Sequence, residues 1–386
     1  MSVDPPELCT AHMDADAFYV SAELLRRPEL RGRPVIVAGT GPRAVVTTAS
    51  YEARRYGVGS AMPAARARGL CPQAVFLPPD FPFYRGLSGR MMGILRGEYE
   101  RVEVVGLDEA YVDLCGLYSP RAAMRRTIAR IGEETGLKCS VGIGPNKLVA
   151  KVASDAEKPG GFVVLSREGA CARFADFPPG LVPGIGPKTV ARLHEMGLRT
   201  LREVGAAPEE LLCGRFGANL GREIGRRARF QSDGEVSEVR KVVSESRERT
   251  FDRDIHDPAE LAGVLARMAG ELCESLAAHG RRGRTIGIKV RLEDFRTITR
   301  ARTIAEATCE VGVVREVALR LLRENPPERP VRLLGVRVAG LVSATPPGGA
   351  APATPEGGDV GESKTAGSGA RPSAPPPPEG QLALPV

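Results

Sequence analysis

Tryptophan is absent from the 386 residues, only four histidines occur, and aromatic residues make up 5% of the chain. Eight cysteines (Cys9, Cys71, Cys115, Cys139, Cys171, Cys213, Cys273 and Cys309) are scattered singly, with no C-x-x-C pair. With so few histidines beside them, that spacing argues against a zinc framework. In a reducing compartment, dispersed cysteines act most often as small apolar core residues. No apolar run approaches the roughly 20 residues that span a bilayer. Residues 1–20 carry Asp4, Glu7, Asp14 and Asp16 where a signal peptide would have basic and apolar stretches. A cytoplasmic protein is expected. Also missing are the G-x-x-x-x-G-K-[ST] loop and the G-x-G-x-x-G fingerprint, so any phosphate binding must come from elsewhere.

What is present is enough chain for more than one core, since single cores stop growing near roughly 250–300 residues. Lysine and arginine exceed aspartate and glutamate by 7 overall. Counted by segment, residues 1–165 carry 21 basic against 18 acidic side chains, 166–238 carry 11 against 10, 239–342 carry 20 against 15, and 343–386 carry 2 against 4. The excess of five in the third segment suggests a polyanion-binding module there, although many cytosolic proteins share a mild basic balance.

Two short acidic clusters stand almost a hundred residues apart: Asp14-Ala15-Asp16-Ala17-Phe18-Tyr19 and Leu107-Asp108-Glu109-Ala110-Tyr111. Each follows a run that reads as a strand, so two adjacent strand ends would bring three carboxylates together. Carboxylate oxygens suit Mg²⁺. Two such ions roughly 3.5–4 Å apart would stabilise both the attacking and the leaving oxygen of a phosphoryl displacement. Either cluster alone reads equally as solvated surface or helix caps.

Residues 1–165 mix strands (Val35 to Val37, Ala44 to Thr48, Arg101 to Val105, Tyr111 to Leu114, Lys138 to Ile143, Phe162 to Leu165) with helices. Residues 166–238 read as short helices, and Leu181-Val182-Pro183-Gly184-Ile185-Gly186-Pro187-Lys188 between two of them is a helix-hairpin-helix signature. Its glycines would let the backbone approach a nucleic-acid phosphate, with Lys188 adding charge; a plain packing turn is the other reading. Strands and helices then alternate as βαββαβ over 239–342. Strand positions Lys289, Arg291, Arg332 and Arg337 would make one sheet face basic, or simply a solvated outer face. From Ser343 to Gly380 the sequence is Pro, Gly, Ala, Ser and Thr rich, a disordered tether. It ends in Gln381-Leu382-Ala383-Leu384-Pro385-Val386, either an apolar docking peptide or a frayed terminus.

Further candidates for triphosphate contact are Tyr51 and Arg54 in Ser50-Tyr51-Glu52-Ala53-Arg54, and Lys158 in Asp155-Ala156-Glu157-Lys158-Pro159-Gly160. Arg can engage two phosphate oxygens at once and Lys supplies a point charge. Alone, each also reads as a surface charge or packing tyrosine. In order along the chain, these motifs resemble the Y-family DNA polymerases, most closely the DinB or DNA polymerase IV branch. The resemblance spans residues 12–342 and includes His12-Met13-Asp14-Ala15-Asp16-Ala17-Phe18-Tyr19, Gly57-Val58-Gly59-Ser60-Ala61-Met62-Pro63, Leu107 to Tyr111, Gly142 to Ser154 and Gly184-Ile185-Gly186.

That resemblance implies a multidomain α+β, right-handed polymerase. Its palm, a ferredoxin-like mixed sheet, would comprise 1–17 and 77–165, with small fingers at 18–76. A helical thumb would span 166–238, a DNA-binding little finger 239–342, and a disordered tail with a clamp-binding peptide 343–386. The implied activity is template-directed, low-fidelity, low-processivity translesion synthesis from dNTPs on primer-template DNA, by a monomer holding two Mg²⁺. By resemblance, Asp14 and Asp108 would bridge the ions, Glu109 would bind the primer-side ion, and the Ala15 carbonyl would complete the nucleotide-side ion. Tyr51, Arg54, Lys158 and the backbone of Ala17, Phe18 and Tyr19 would hold the triphosphate. Tyr19 would be the steric gate against ribose, with Phe18 pointing elsewhere if both lie in an extended stretch. Gly57, Gly59, Ser60 and Ala61 beside Met62 would form a loose roof over the new base pair.

Gly184, Gly186, Lys188 and the four basic strand residues would contact the DNA backbone. Gln381, Leu382 and Leu384 would enter a groove of a sliding clamp, on a tether with a random-coil span of roughly 31–37 Å. Three departures stand out: Gly106 where the family usually has serine, Asp16 and Asp113 acidic without an assigned metal role, and the Pro385-Val386 ending. A catalytically silent scaffold that recruits repair proteins remains as an alternative, as does a palm-fold cyclase or nuclease. The intact carboxylate triad counts against the first, and the hairpin and βαββαβ segment against the second.

Overall fold

Alternation of apolar side chains across short β-branched runs builds the sheet that carries the acidic clusters. In the computed structural model, which describes residues 8–239 and 241–343, this sheet has the order β5-β6-β1-β7-β8. Its strands are β1 (Thr10–Ala15), β5 (Val102–Val104), β6 (Glu109–Asp113), β7 (Cys139–Gly144) and β8 (Phe162–Val164). All neighbours are antiparallel except β7 and β8, so the sheet is mixed. Ala11, Met13, Ala110, Val112, Val141 and Ile143 are fully buried within one core. That core also takes in α4 (Phe81–Glu98) and α5 (Pro120–Thr135), through Tyr84, Met91, Leu95, Met124 and Ile131. On the other side β1 and β7 lie against α6 (Lys147–Ala156). Gly142 and Gly144 make that approach close: a Cβ at Gly142 would sit 2.0 Å from the Ala150 carbonyl oxygen.

A second sheet, β3-β2-β4, is formed by β2 (Val35–Ala38), β3 (Val46–Ala49) and β4 (Val75–Leu77). β4 lies outside the expected strands because Val75-Phe76-Leu77 is too short to show alternation; parallel pairing with β2 defines it. It carries the sheet to Leu77, one residue past the expected boundary at 76. α1 (Phe18–Arg26), α2 (Tyr51–Arg54) and α3 (Ala64–Leu70) complete this region. Helices α7 (Arg167–Phe174), α8 (Pro187–Glu195), α9 (Leu201–Ala206), α10 (Glu209–Phe216) and α11 (Ala218–Ala228) share a separate apolar cluster around Phe174, Leu193, Leu212 and Phe230.

The chain divides into two compact units, the second beginning at Lys241. Its order is β9 (Ser244–Ile255), α12 (Pro258–Ala278), β10 (Arg281–Leu292), β11 (Thr297–Thr308), α13 (Val311–Glu324) and β12 (Val331–Ser343), hence βαββαβ. The antiparallel sheet has the order β11-β10-β12-β9, and both helices pack on one face over Ile286, Ile288, Val290, Leu334, Val336 and Val338. Several strands outrun their expected limits, since β9 continues to Ile255 and β11 to Thr308 through polar residues that sequence alternation does not mark. No helix among the described residues is long and apolar enough to cross a membrane. Cys71, Cys139 and Cys273 are buried as expected of apolar cysteines, whereas Cys115 is exposed in the turn after β6. The expected clamp peptide, Gln381, Leu382 and Leu384, lies outside the described residues.

Candidate active site

Register brings the two acidic clusters together. β1 and β6 run antiparallel with Asp14 directly opposite Glu109, and opposed residues project from the same face. Asp108 precedes β6, and its carbonyl accepts the Ala15 amide at 2.8 Å, drawing the third carboxylate to the same strand ends. Two ammonium groups meet them. Lys151, on α6, lies 2.8 Å from Glu109 Oε2 and 3.3 Å from Asp14 Oδ2. Lys158, just beyond the helix end, lies 2.7 Å from both Asp14 Oδ1 and Asp155 Oδ1.

Behind them His12, fully buried and two residues before Asp14 on the same strand face, reaches Glu109 Oε2 with Nε2 at 3.2 Å. Its Nδ1 is 2.8 Å from Ser154 Oγ. The His12, Asp14 and Glu109 ligand atoms lie within 4.8 Å of one another. Surroundings drive the two neighbouring carboxyls apart. The His12 hydrogen bond, with Lys151 adding its own bond and charge, holds Glu109 down to about 2 against burial. Burial first, then the charges of Asp14 and Glu109, push Asp108 up to about 6.

Asp16 turns out to be a tie rather than a bystander. It accepts Ser140 Oγ at 2.8 Å, the Gly160 amide at 2.7 Å and the Tyr51 hydroxyl at 3.3 Å. These bonds join the end of β1, strand β7, the Lys158 loop and α2. Arg54 is linked to the same group: its guanidinium stands 4.7 Å over the Tyr51 ring centroid, and its Nε donates to the Ala49 carbonyl at 3.0 Å. Lys158 thus touches Asp14 directly, while Tyr51 reaches the neighbouring Asp16 and carries Arg54 stacked on its ring. Ala17 takes φ 45° and caps α1, whose first amides, including Phe18 and Tyr19, have no intrahelical acceptor.

Phe18 and Tyr19 belong to that helix, which corrects the extended stretch expected for them. They diverge by the roughly 100° step of a helix instead of by strand alternation. Phe18 is buried at 2% exposure in the main core, while Tyr19 is half-buried against Phe81 and Tyr84 with ring centroids 5.8 and 4.8 Å away. Burial, and next the Asp108 charge, raise the Tyr19 hydroxyl pKa, so its phenol feels the acidic site. Gly57, Ser60 and Ala61 are exposed in the turn after α2, with Gly59 and Met62 half-buried. A Cβ on Gly106 would come within 3.2 Å of Asp108 Oδ1, so glycine leaves room that serine would take. Asp113 is structural, 2.5 Å from Arg101 and accepting the Cys115 amide at 2.9 Å.

In the hairpin, Gly184 has φ 90° and packs so tightly on Arg227 that a Cβ would lie 2.6 Å from its Nη1. Arg227 in turn donates to the Pro183 carbonyl at 2.5 Å. Gly186 caps α8, and Lys188 is exposed in its first turn. In the second unit, Lys289, Arg291 and Arg337 share the face that α12 and α13 leave uncovered, since their cross-strand partners Thr299, Thr297, Gly287 and Ser246 do. Arg332 sits apart at a register shift of β12, over the Phe295 ring at 4.6 Å. Lys289 reaches Glu248 at 2.7 Å across Gly335, whose missing side chain lets the pair meet.

Sequence reasoning assigned no role to His12, Lys151, Ser140 or Ser154. The two-residue spacing of His12 from Asp14, and the seven-residue spacing of Lys151 from Lys158, were the available signals.

Comparison with known proteins gives a consistent result. Residues 13–155 match the impB/mucB/samB family model and residues 242–350 its C-terminal domain model. A DNA polymerase IV of Methanoculleus marisnigri is 42% identical over 86% of this chain and 93% of its own length. That of Alkalilimnicola ehrlichii is 42% identical over 87% and 96%. Among solved structures, a Y-family DNA polymerase chimera of Dbh and Dpo4 is 25% identical with a TM-score of 0.79, covering 87% of this chain and all of its own. An insertion ternary complex of Dbh DNA polymerase superposes with a TM-score of 0.63.

Proposed function

The chain belongs to the Y-family DNA polymerases, in the DNA polymerase IV branch, and from that premise we propose that it is a low-fidelity enzyme for synthesis across damaged template bases. The observation that carries this reading is the register placing Asp14 opposite Glu109, with Asp108 tied to Ala15 at the same strand ends. Burial first, then repulsion from Asp14 and Glu109, pushes Asp108 up to about 6, and a divalent cation among these hard oxygen donors would offset both. Asp14, Asp108, Glu109 and the Ala15 carbonyl would hold two Mg²⁺. Bound there, the ions would favour the primer 3′-hydroxylate as nucleophile and neutralise the triphosphate and departing pyrophosphate.

The chain's own groups do the positioning. Lys158 is poised to exchange Asp14 Oδ1 for a phosphate oxygen, and Tyr51 and Arg54, joined to the site through Asp16, would add a second set of phosphate contacts. With the free amides at the start of α1 they would fix the triphosphate in line for attack. Tyr19, half-buried and close enough to Asp108 to feel its charge, would lie under the sugar and reject a ribose 2′-hydroxyl. The small residues Gly57, Gly59, Ser60 and Ala61 beside Met62 would form a roof with little bulk over the new pair, tolerant of altered bases. In this reading the five-stranded sheet is the palm, α7 to α11 the thumb and the second unit the little finger. The last two hold DNA through phosphates, so grip is independent of sequence.

Primer extension with Mg²⁺ on undamaged and lesion-bearing templates tests the assignment. The wild-type chain is expected to make short products on both. Asp108→Ala and Glu109→Ala are each expected to lose on the order of 10³-fold in rate, as removal of several kcal/mol of charge stabilisation requires. Full extension by either variant would sink the reading. The terminal Gln381, Leu382 and Leu384 are proposed to dock on a sliding clamp. Deleting residues 381–386 should abolish clamp-stimulated synthesis and spare basal synthesis, and equal stimulation of both forms would remove that proposal.

A further inference from the structure

Glu109 is held from behind in an asymmetric way. Both of its polar partners, His12 Nε2 at 3.2 Å and Lys151 Nζ at 2.8 Å, converge on Oε2. Oε1 receives neither. An ionised carboxylate only accepts hydrogen bonds, so His12 Nε2 donates to Glu109, while the other ring nitrogen, Nδ1, is hydrogen-bonded to Ser154 Oγ at 2.8 Å. The Ser154 hydroxyl donates to the Lys151 carbonyl at 2.8 Å, which fixes Oγ on α6 and leaves its lone pairs toward the ring. The ring is fully buried, and the Tyr111 ring stands against it with centroids 4.7 Å apart. The imidazole therefore has little freedom to turn, and Ser154, His12 and Glu109 form one line from α6 to the strand ends.

We propose that His12, fixed by Ser154, is a positioning residue that ties down Glu109 Oε2 and presents Oε1, thereby setting the affinity of the carboxylate site for a divalent cation. His12 is not itself a ligand: its Nε2 is already committed to Glu109, and nitrogen is a poor donor for a hard cation compared with the three carboxylates beside it. Lys151 is fixed less firmly in this task, being shared among Glu109, Asp14 and Asp155. Groups behind a first ligand shell typically contribute 10–100-fold to metal affinity by fixing ligand orientation. This inference rests on the metal-binding role given to Glu109 above.

The test is a Mn²⁺ titration of the full chain read by electron paramagnetic resonance, beside the Mg²⁺ dependence of single-nucleotide incorporation. His12→Ala should bind Mn²⁺ about 10–100-fold more weakly and recover rate at high Mg²⁺. His12→Gln, whose side-chain amide can still donate to Glu109, should return to within roughly threefold of wild type. Unchanged affinity in His12→Ala, no rescue by His12→Gln, or a nitrogen directly coupled to Mn²⁺ in the wild type would each overturn the proposal. If circular dichroism shows His12→Ala unfolded, Ser154→Ala carries the test: at least about threefold weaker binding is expected, and unchanged binding overturns it. Glu109→Ala in the same titration separates the two readings. If it binds as tightly as wild type, the metal role of Glu109 fails; if it alone loses affinity, only the positioning role of His12 does.

Discussion

On the five-stranded sheet, Asp14 and Glu109 are opposed by register, Asp108 is bonded to the neighbouring strand, and two lysines and a buried histidine meet them at 2.7–3.3 Å. On the four-stranded sheet, Lys289, Arg291 and Arg337 stand on an uncovered face among Thr297, Thr299, Ser246 and Gly335, and Lys289 shares its charge with Glu248. In the first region three carboxylates and two ammonium groups are packed together in a partly buried place, where each shifts the others. In the second they are spaced on long side chains in water, where interactions are screened and worth little singly. A built site should therefore respond to single changes sharply and non-additively, and a charged surface in small, additive steps.

The largest effects belong to the built site. Tyr19→Ala removes the ring that packs on Tyr84 and Phe81. If that ring excludes a ribose hydroxyl by overlap, discrimination against ribonucleotides should fall by about 10–100-fold, the equivalent of the 1–3 kcal/mol that crowding costs. Competitive incorporation of one ribonucleotide against its deoxy counterpart reads this directly. Unchanged discrimination would place the gate elsewhere.

A smaller effect with the opposite sign on stability is expected from Asp108→Asn. The Asp108 carboxyl titrates near 6 when folded and lower when unfolded. Below the unfolded value both states are protonated and nothing is lost. As pH rises toward about 6 the unfolded state ionises first, so the folded state loses stability, and above about 6 the full penalty is present. Discounted for partial solvent access, the penalty at neutral pH is about 1–2 kcal/mol. Asp108→Asn should thus be inactive yet more resistant to urea by that amount at pH 7, with the gain vanishing near pH 4. A variant less stable than wild type at pH 7 would show that the Asp108 carboxylate is not penalised by burial and by its acidic neighbours.

How much of this was legible beforehand depends on which interactions are local. The acidic clusters, the glycine pair at Gly184 and Gly186, and the βαββαβ alternation are written in short windows, because strands and turns announce themselves through residue type. Asp14 facing Glu109 is a pairing over 95 positions, suggested by the strand patterns but fixed only by register. The function of Asp16 depended on Ser140, Gly160 and Tyr51, three partners from separate elements, and its acidity alone could not reveal them. His12 was hidden for a similar reason: Ser154 is 142 residues away. The helical start of α1 at Phe18 was not legible because the αL turn at Ala17 switches strand to helix within two residues.

The smallest expected effects fall on the basic sheet, where two opposed substitutions sharpen the contrast. Arg337→Ala should weaken primer-template binding uniformly across sequences and lower the salt slope by about one, as loss of one phosphate contact does. Glu248→Ala should do the reverse. Glu248 lies across Gly335 from Lys289 and holds it at 2.7 Å, so it both competes with phosphate for that ammonium and repels the backbone. An exposed pair of this kind is worth about 0–1 kcal/mol, so affinity should rise by no more than roughly fivefold at low salt. The two changes combined should equal the sum of the single effects to within about 0.5 kcal/mol if the face acts as a set of separate charges. Fluorescence anisotropy at several salt concentrations measures all three. Weaker binding by Glu248→Ala would mean that the carboxylate holds Lys289 in place for the duplex, and the uncovered face would then be a built site like the acidic one.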